Sequence, residues 1–167
     1  MKTLILIVIL CLCVQLNVFS QDASQRGITG TWRLISMTYR NPVSGAETDL
    51  WGKAPAGLLT YTPEGRMSAV IASQDRNIPE SSAAFASTEE KAMLFSSFIA
   101  YAGTYTRTDT CIVHHVEVAS DPTWTGTDQI RYVHLTGKQM IITAPRIRTV
   151  SDPDPKVLKL IWEKVDF

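Results

Sequence analysis

The sequence predicts a mainly β protein, an eight-stranded antiparallel up-and-down barrel with one short helix. Three observations carry this expectation. From Ile28 onward apolar residues recur mostly with a period of two, broken at intervals by turn signals. The connections are short, which makes neighbouring strands antiparallel, because parallel strands need crossovers of a dozen residues or more. Meandering strands in this number close well into a barrel whose interior can hold one small ligand, an open sandwich being the alternative. A chain of 167 residues fits one domain. Its 16 basic and 16 acidic residues give no field for gripping phosphate backbones, so no nucleic-acid partner is expected.

The first 20 residues stand apart from this pattern. Lys2 precedes an unbroken apolar run over residues 4–14, too short for the roughly 20 residues that span a bilayer. Val18-Phe19-Ser20 puts small or modest side chains where a signal peptidase reads. Residues 1–20 are therefore expected to be a signal peptide cleaved before Gln21, and residues 21–167 a secreted or periplasmic domain. An uncleaved membrane anchor is the alternative; after cleavage no stable membrane anchor is expected. Loss of the leader removes Cys11 and Cys13, leaving Cys111 without a partner for an internal disulfide. A domain of about 145 residues buries roughly 68% of its unfolded surface and needs no such staple.

Along the chain, residues 31–39 read as a first strand, rich in β-branched and aromatic side chains and stopped by Asn41-Pro42 and Gly45. Residues 57–62 and 66–73 form a hairpin about Pro63-Glu64-Gly65. Residues 74–86 have no clear period and read as a loop. Ser87-Thr88-Glu89-Glu90 is a capping box, with Ser at the cap and Glu three residues on. Ala92, Met93, Leu94, Phe95, Phe98 and Ile99 follow at helical spacing, which predicts a helix over residues 88–99 packed on something apolar. Residues 101–107, 110–119, 127–135, 139–143 and 157–165 supply five more strands, with a longer loop over 145–155 before the last.

Alternation assigns the faces. In residues 110–119 Glu117 marks the odd set (Cys111, Val113, His115) as solvent-facing, so Ile112, His114, Val116 and Val118 point inward. In residues 127–135 the odd set ends more apolar, which aims Gln129 and Arg131 into the barrel. Tyr101 and Tyr105 flank Gly103 on one face of their strand. An interior with His114, Arg131, Gln129 and tyrosine hydroxyls is unusual for a plain core. A buried Arg calls for a counter-charge, a water-filled cavity or an anionic ligand. The structural alternative is equally concrete: Arg131 bridges to a barrel carboxylate and His114 is a satisfied core histidine.

Gly30-Thr31-Trp32 resembles the Gly-x-Trp signature of lipocalins. A longer series resembles the lipocalin-like domain family of small bacterial and fungal proteins. It runs through Gly30-Thr31-Trp32-Arg33-Leu34, Gly57-Leu58-Leu59-Thr60-Tyr61-Thr62-Pro63-Glu64-Gly65-Arg66-Met67-Ser68, Ala100-Tyr101-Ala102-Gly103-Thr104-Tyr105, and His114-His115-Val116-Glu117. Pro122, Trp124, Gly126-Thr127, Gln129, Arg131 and Leu160-Ile161-Trp162-Glu163 continue it, in order, over nearly the whole domain. The resemblance implies a calycin-type barrel with the helix beside or over one end. It implies no settled function, since related barrels carry hydrophobic small molecules and a few similar ones are isomerases or cyclases. In lipocalins the first-strand Trp, here Trp32, packs at the closed end against a late basic residue. Lys164 stands where many relatives carry Arg, and Lys lacks the planar stacking of guanidinium.

Two readings follow. In the first, the barrel binds a small, largely hydrophobic molecule with an anionic or carbonyl end. Tyr61, Tyr101, Tyr105, His114, Gln129 and Arg131 line that site, and no cofactor is required. In the second, the same interior runs acid–base chemistry as a cofactor-independent isomerase, cyclase or dehydratase. His114 would then be the acid or base and Arg131 or Tyr105 the oxyanion stabiliser, which requires all three within about 3 Å of a common point. A solid structural barrel with no ligand is a third possibility. No Gly-x-Ser-x-Gly, phosphate-binding glycine loop, His-Glu-x-x-His or Cys-x-x-Cys occurs. His114 and His115 point to opposite faces, as do His114 and His134 in this reading, so no metal site is expected. Cys111 reads as a small packed hydrophobe rather than a nucleophile. Oligomeric state stays open.

Overall fold

The computed structural model of the chain describes residues 27–77, 82–144, 147–149 and 152–166, and the expected signal peptide lies outside them. The strands are β1 (Gly30–Arg40), β2 (Glu47–Asp49), β3 (Ala56–Tyr61), β4 (Arg66–Ala72), β5 (Phe98–Arg107), β6 (Cys111–Ala119), β7 (Asp128–Thr136), β8 (Gln139–Thr143), β9 (Ile147–Thr149) and β10 (Asp152–Lys164), with the helix α1 (Thr88–Ser96) between β4 and β5. Their order in the sheet is β2-β1-β3-β4-β5-β6-β7-β8-β10-β9, and β1 also pairs with β10. All pairings are antiparallel, so β1, β3 to β8 and β10 form a closed up-and-down ring of eight strands. The open sandwich is thereby excluded. The short strands β2 and β9 are ribbons on the ring, laid beside the far half of β1 and the start of β10.

The closed end is built around the Gly-x-Trp segment. Trp32 is buried, and its indole N–H donates to the Ile28 carbonyl at 2.7 Å. Lys164, paired with Trp32 across the closing seam, lays its ammonium over that ring at 5.2 Å from the centroid. The same ammonium donates to the Thr29 carbonyl at 2.8 Å. The lysine thus braces the Trp through charge and a hydrogen bond, without planar stacking. Gly30 sits at φ 120°, and a Cβ there would lie 3.2 Å from the Lys164 Cε. Only glycine tolerates both the conformation and the close approach.

Three local expectations need correction. The helix stops at Ser96, and Phe98 and Ile99 open β5, where they pair with Ala72 and Ile71 of β4. Helical spacing ran on through them, but β4 needs a neighbour along its whole length, and tertiary pairing overrides local period. The capping box is present as expected: the Ser87 hydroxyl accepts from the Glu90 N–H and the Glu90 carboxylate from the Ser87 N–H. Yet no residue of α1 is buried, and Phe95 is 61% exposed, so the helix does not pack on an apolar surface along a full face.

The second correction is at Val118, expected inside and found 61% exposed. The β5–β6 register shifts from Gly103↔Val116 to Ala102↔Val118, leaving Glu117 as an extra, bulged residue. One inserted residue flips every later side chain to the other face. Gly103 makes the bulge feasible, since a Cβ there would sit 1.9 Å from the His115 carbonyl oxygen. The third is the loop over 145–155, much of which is taken by β9 and the start of β10. Pro153 and Pro155 masked the strand signal, and the pairing is irregular between Asp152 and Lys156.

Candidate functional site

The interior has a filled half and a hollow half. Toward the closed end Trp32, Leu59, Tyr61, Ile112, Met140 and Trp162 are buried in one apolar cluster. Aromatic side chains of this kind remove about 150–250 Å² each from water, on the order of 5 kcal/mol apiece before entropy is counted. This half is solid, as a structural barrel would be.

Above that floor lies a hydrogen-bonded chain. His114 is 1% exposed and held at both ring nitrogens, by the Tyr61 hydroxyl at 2.7 Å from Nε2 and the Tyr101 hydroxyl at 3.1 Å from Nδ1. Burial first, and then the nearby Arg131 charge, lower its pKa to about 3, so the imidazole is neutral. Burial likewise raises Tyr61 and Tyr101, and both phenols keep their protons at neutral pH. A neutral imidazole has one donor and one acceptor, so one tyrosine must donate to it and the other must accept. Tyr105 is drawn off elsewhere: its hydroxyl donates to the Thr62 carbonyl at 2.9 Å, and its ring meets Tyr61 edge-on at 4.8 Å.

The hollow half opens at the far mouth as a cavity of about 480 Å³. Its walls are Met37 and Tyr39 of β1, Ile99 of β5, Ala144 just past β8, Leu158 of β10, and the loop residues Leu50 and Trp51; Trp124, Gln129, Ile130 and Arg131 complete it with Asp128. Trp124 lies in a single turn of 3-10 helix over Pro122–Trp124, capped by the Asp121 carboxylate, and its ring packs edge-on against Tyr101 at 5.4 Å. Trp51 holds a left-handed backbone, φ 65°, beside Gly52 at φ 88°. Its carbonyl accepts from the Gln74 N–H at 3.0 Å, tying the rim loop to the end of β4. A non-glycine residue in that region stores strain of roughly 1–2 kcal/mol, a feature that gathers at functional sites.

Arg131 is 8% exposed and forms part of the cavity wall. It donates to the Ile130 carbonyl at 2.9 Å and to Gln129 Oε1 at 3.4 Å, and its guanidinium lies 5.9 Å from the Trp124 ring centroid. Among the described residues no carboxylate lies within ion-pair distance of it. Among these residues the bridge to a barrel carboxylate, the structural alternative, is not formed.

Of the expected site residues, Gln129 and Arg131 line the cavity. Tyr101 backs it through Trp124 and Arg131, and His114 and Tyr61 lie one layer deeper. Tyr105 belongs to the filled half. Both His114 nitrogens and the Tyr105 hydroxyl are spent on bonds inside the core. The acid–base arrangement is not supported. Alternation missed Trp51 and Trp124 as wall residues, because both stand in turns; a large aromatic inside a Gly- or Pro-marked turn was the available signal. Cys111 is half-buried on β6.

A closed antiparallel eight-stranded ring, solid at its Trp32 end and hollow at the other, is a calycin-type barrel. The chain belongs to the lipocalin-like domain family, whose match spans residues 29–165. It is 29% identical over 85 residues to the 4'-hydroxy-3'-methoxypropiophenone carrier protein of Aspergillus oryzae, covering 46% of this chain and 76% of that protein. A solved structure of an uncharacterized protein from Bacteroides eggerthii is similar with a TM-score of 0.41 and 13% identity, over 83% of this chain and 99% of that one.

Proposed function

We propose that this protein is a carrier-type binding protein that takes a small, largely hydrophobic molecule into the open end of its barrel. The observation that carries this reading is the cavity of about 480 Å³, walled by Met37, Leu158, Ile99 and two tryptophans, with the buried Arg131 guanidinium in its wall. The volume falls within the range of about 300–1,000 Å³ usual for small-molecule sites. Apolar contact at about 25 cal/mol per Å² would supply most of the affinity, and Arg131 with Gln129 would orient the polar end. The similarity to a protein named as a carrier of one small aromatic compound supports a cargo of this kind. The test is native mass spectrometry after incubation with fatty acids and aromatic polyketides, on the wild type and on Ala144→Phe, which fills the cavity. The expected result is an adduct of one ligand per chain in the wild type and none in the variant. Binding that survives A144F, or no adduct across the panel, refutes the assignment.

The apolar run over residues 4–14, preceded by Lys2, supports a second proposal, that the domain works outside the cytoplasm. Sequencing the N-terminus of protein recovered from the extracytoplasmic fraction should begin at Gln21, and an intact Met1 confined to the cytoplasm would overturn it.

A further inference from the structure

We propose that the cargo is an organic acid, bound through its carboxylate to Arg131. This rests on the carrier reading above and narrows it from "polar end" to one charge. The Arg131 guanidinium is buried in the cavity wall and is surrounded by neutral groups.

Gln129 is oriented by its own neighbours. The Thr127 hydroxyl donates to the Trp124 carbonyl at 2.7 Å, which leaves the hydroxyl oxygen as an acceptor. The Gln129 NH₂ donates to that oxygen at 2.9 Å, so its carbonyl is the end turned to Arg131. That carbonyl is already engaged and carries no charge. On the other side stands Tyr101, against the guanidinium. Its hydroxyl is engaged with Nδ1 of His114 at 3.1 Å, and a phenol oxygen carries no charge to offset the arginine. The other ring nitrogen of His114, Nε2, is bonded to the Tyr61 hydroxyl at 2.7 Å. Both His114 nitrogens are thus spent on tyrosine hydroxyls, and among the described residues no carboxylate pairs with Arg131.

Asp128 does not offset the Arg131 charge either. Its carboxylate is bonded to Nδ1 of His115 at 2.7 Å and is 65% exposed. Arginine cannot shed its proton to escape burial, as lysine can. The cavity thus offers a fixed cation with unspent N–H groups at the end of an apolar space. A carboxylate matches it in charge, acceptor capacity and forked geometry. An alcohol would meet the donors with one neutral oxygen, and an amine would add a second cation.

The test uses three probes on one skeleton: phenylhexanoate, phenylhexanol and phenylhexylamine, each titrated calorimetrically into the purified protein near neutral pH. The acid is expected to bind at least tenfold more tightly than the alcohol, and the amine more weakly than either. In Arg131→Gln, shown folded by circular dichroism, acid and alcohol should bind within threefold of each other while the alcohol keeps most of its wild-type affinity. Equal binding of acid and alcohol to the wild type overturns the carboxylate assignment and leaves the carrier reading standing. An acid preference that persists in R131Q also overturns it, because the preference then has another source. Binding of none of the three overturns both.

Discussion

His114 is buried as a neutral imidazole, and this makes the fold sensitive to mild acid. An unfolded histidine titrates near 6.5, whereas in the folded barrel the value is lowered to about 3 by burial and by Arg131. Above the unfolded value neither state takes up the proton and the full stability is present. As the pH falls from about 6.5 toward 3 only the unfolded chain is protonated, so stability is lost throughout that window. At about pH 5 the unfolded imidazole favours its charged form roughly thirtyfold, which costs the fold about 2 kcal/mol relative to pH 7. The carboxylates held low by partners, Glu47 by Lys159 and Glu117 by Arg66, act only below their usual range and lie outside this interval. The assay is urea unfolding followed by tryptophan fluorescence at about pH 7 and pH 5, on the wild type and on His114→Gln. The variant starts lower, because it breaks bonds to Tyr61 and Tyr101, but its loss between the two pH values should be smaller by about 2 kcal/mol. If the two proteins lose stability in parallel, His114 is not held neutral in the core and the hydrogen-bond chain drawn from it is wrong.

Gly103→Ala should be among the most damaging small substitutions, since its Cβ would meet backbone oxygen at 1.9 Å rather than a yielding side chain. A loss of about 3 kcal/mol, read as a fall in melting temperature of roughly 6–12 °C, is expected; a change under about 2 °C would show the bulge to be unimportant. Lys164→Met removes both the charge over Trp32 and the bond to the Thr29 carbonyl, at an expected cost of about 1–2 kcal/mol in chemical denaturation. Lys164→Arg should lose less than half of that, and equal losses would rule out a role for the positive charge. Ser87→Ala deletes the cap of α1, worth about 1 kcal/mol locally. Because no residue of that helix is buried, amide exchange in residues 88–96 should quicken while the global unfolding midpoint stays put.

The ring was legible because its strands obey a strict period and its turns carry glycine and proline. Pro63-Glu64-Gly65 and Ser87 to Glu90 act through local bonds that any reader of the chain can name. The inward faces of β6 and β7 were legible for the same reason, up to Glu117. Beyond it the face depends on a bulge that exists only because Gly103, on another strand, lets the backbone approach. Nothing near Val118 in the chain announces that. The site divides similarly. Arg131, Gln129 and His114 announced themselves as polar residues on apolar faces. Their division into cavity wall and buried support depends on depth along the barrel axis, which alternation does not measure. Trp51 and Trp124 reach the mouth from turns, and a turn has no face to read until its neighbours are placed.

The Trp32–Lys164 seam has a consequence for how the chain acquires its shape. Most neighbours in the ring are joined by connections short enough to form early, but β1 and β10 meet across the whole domain, with Arg33 and Glu163 in contact 130 positions apart. That seam carries the largest loop-closure cost and is expected to form late. Until it does, β1 and β10 are open edges, able to pair with another chain as readily as with each other. The brace at Trp32 therefore guards against strand exchange between molecules as much as it seals the barrel floor.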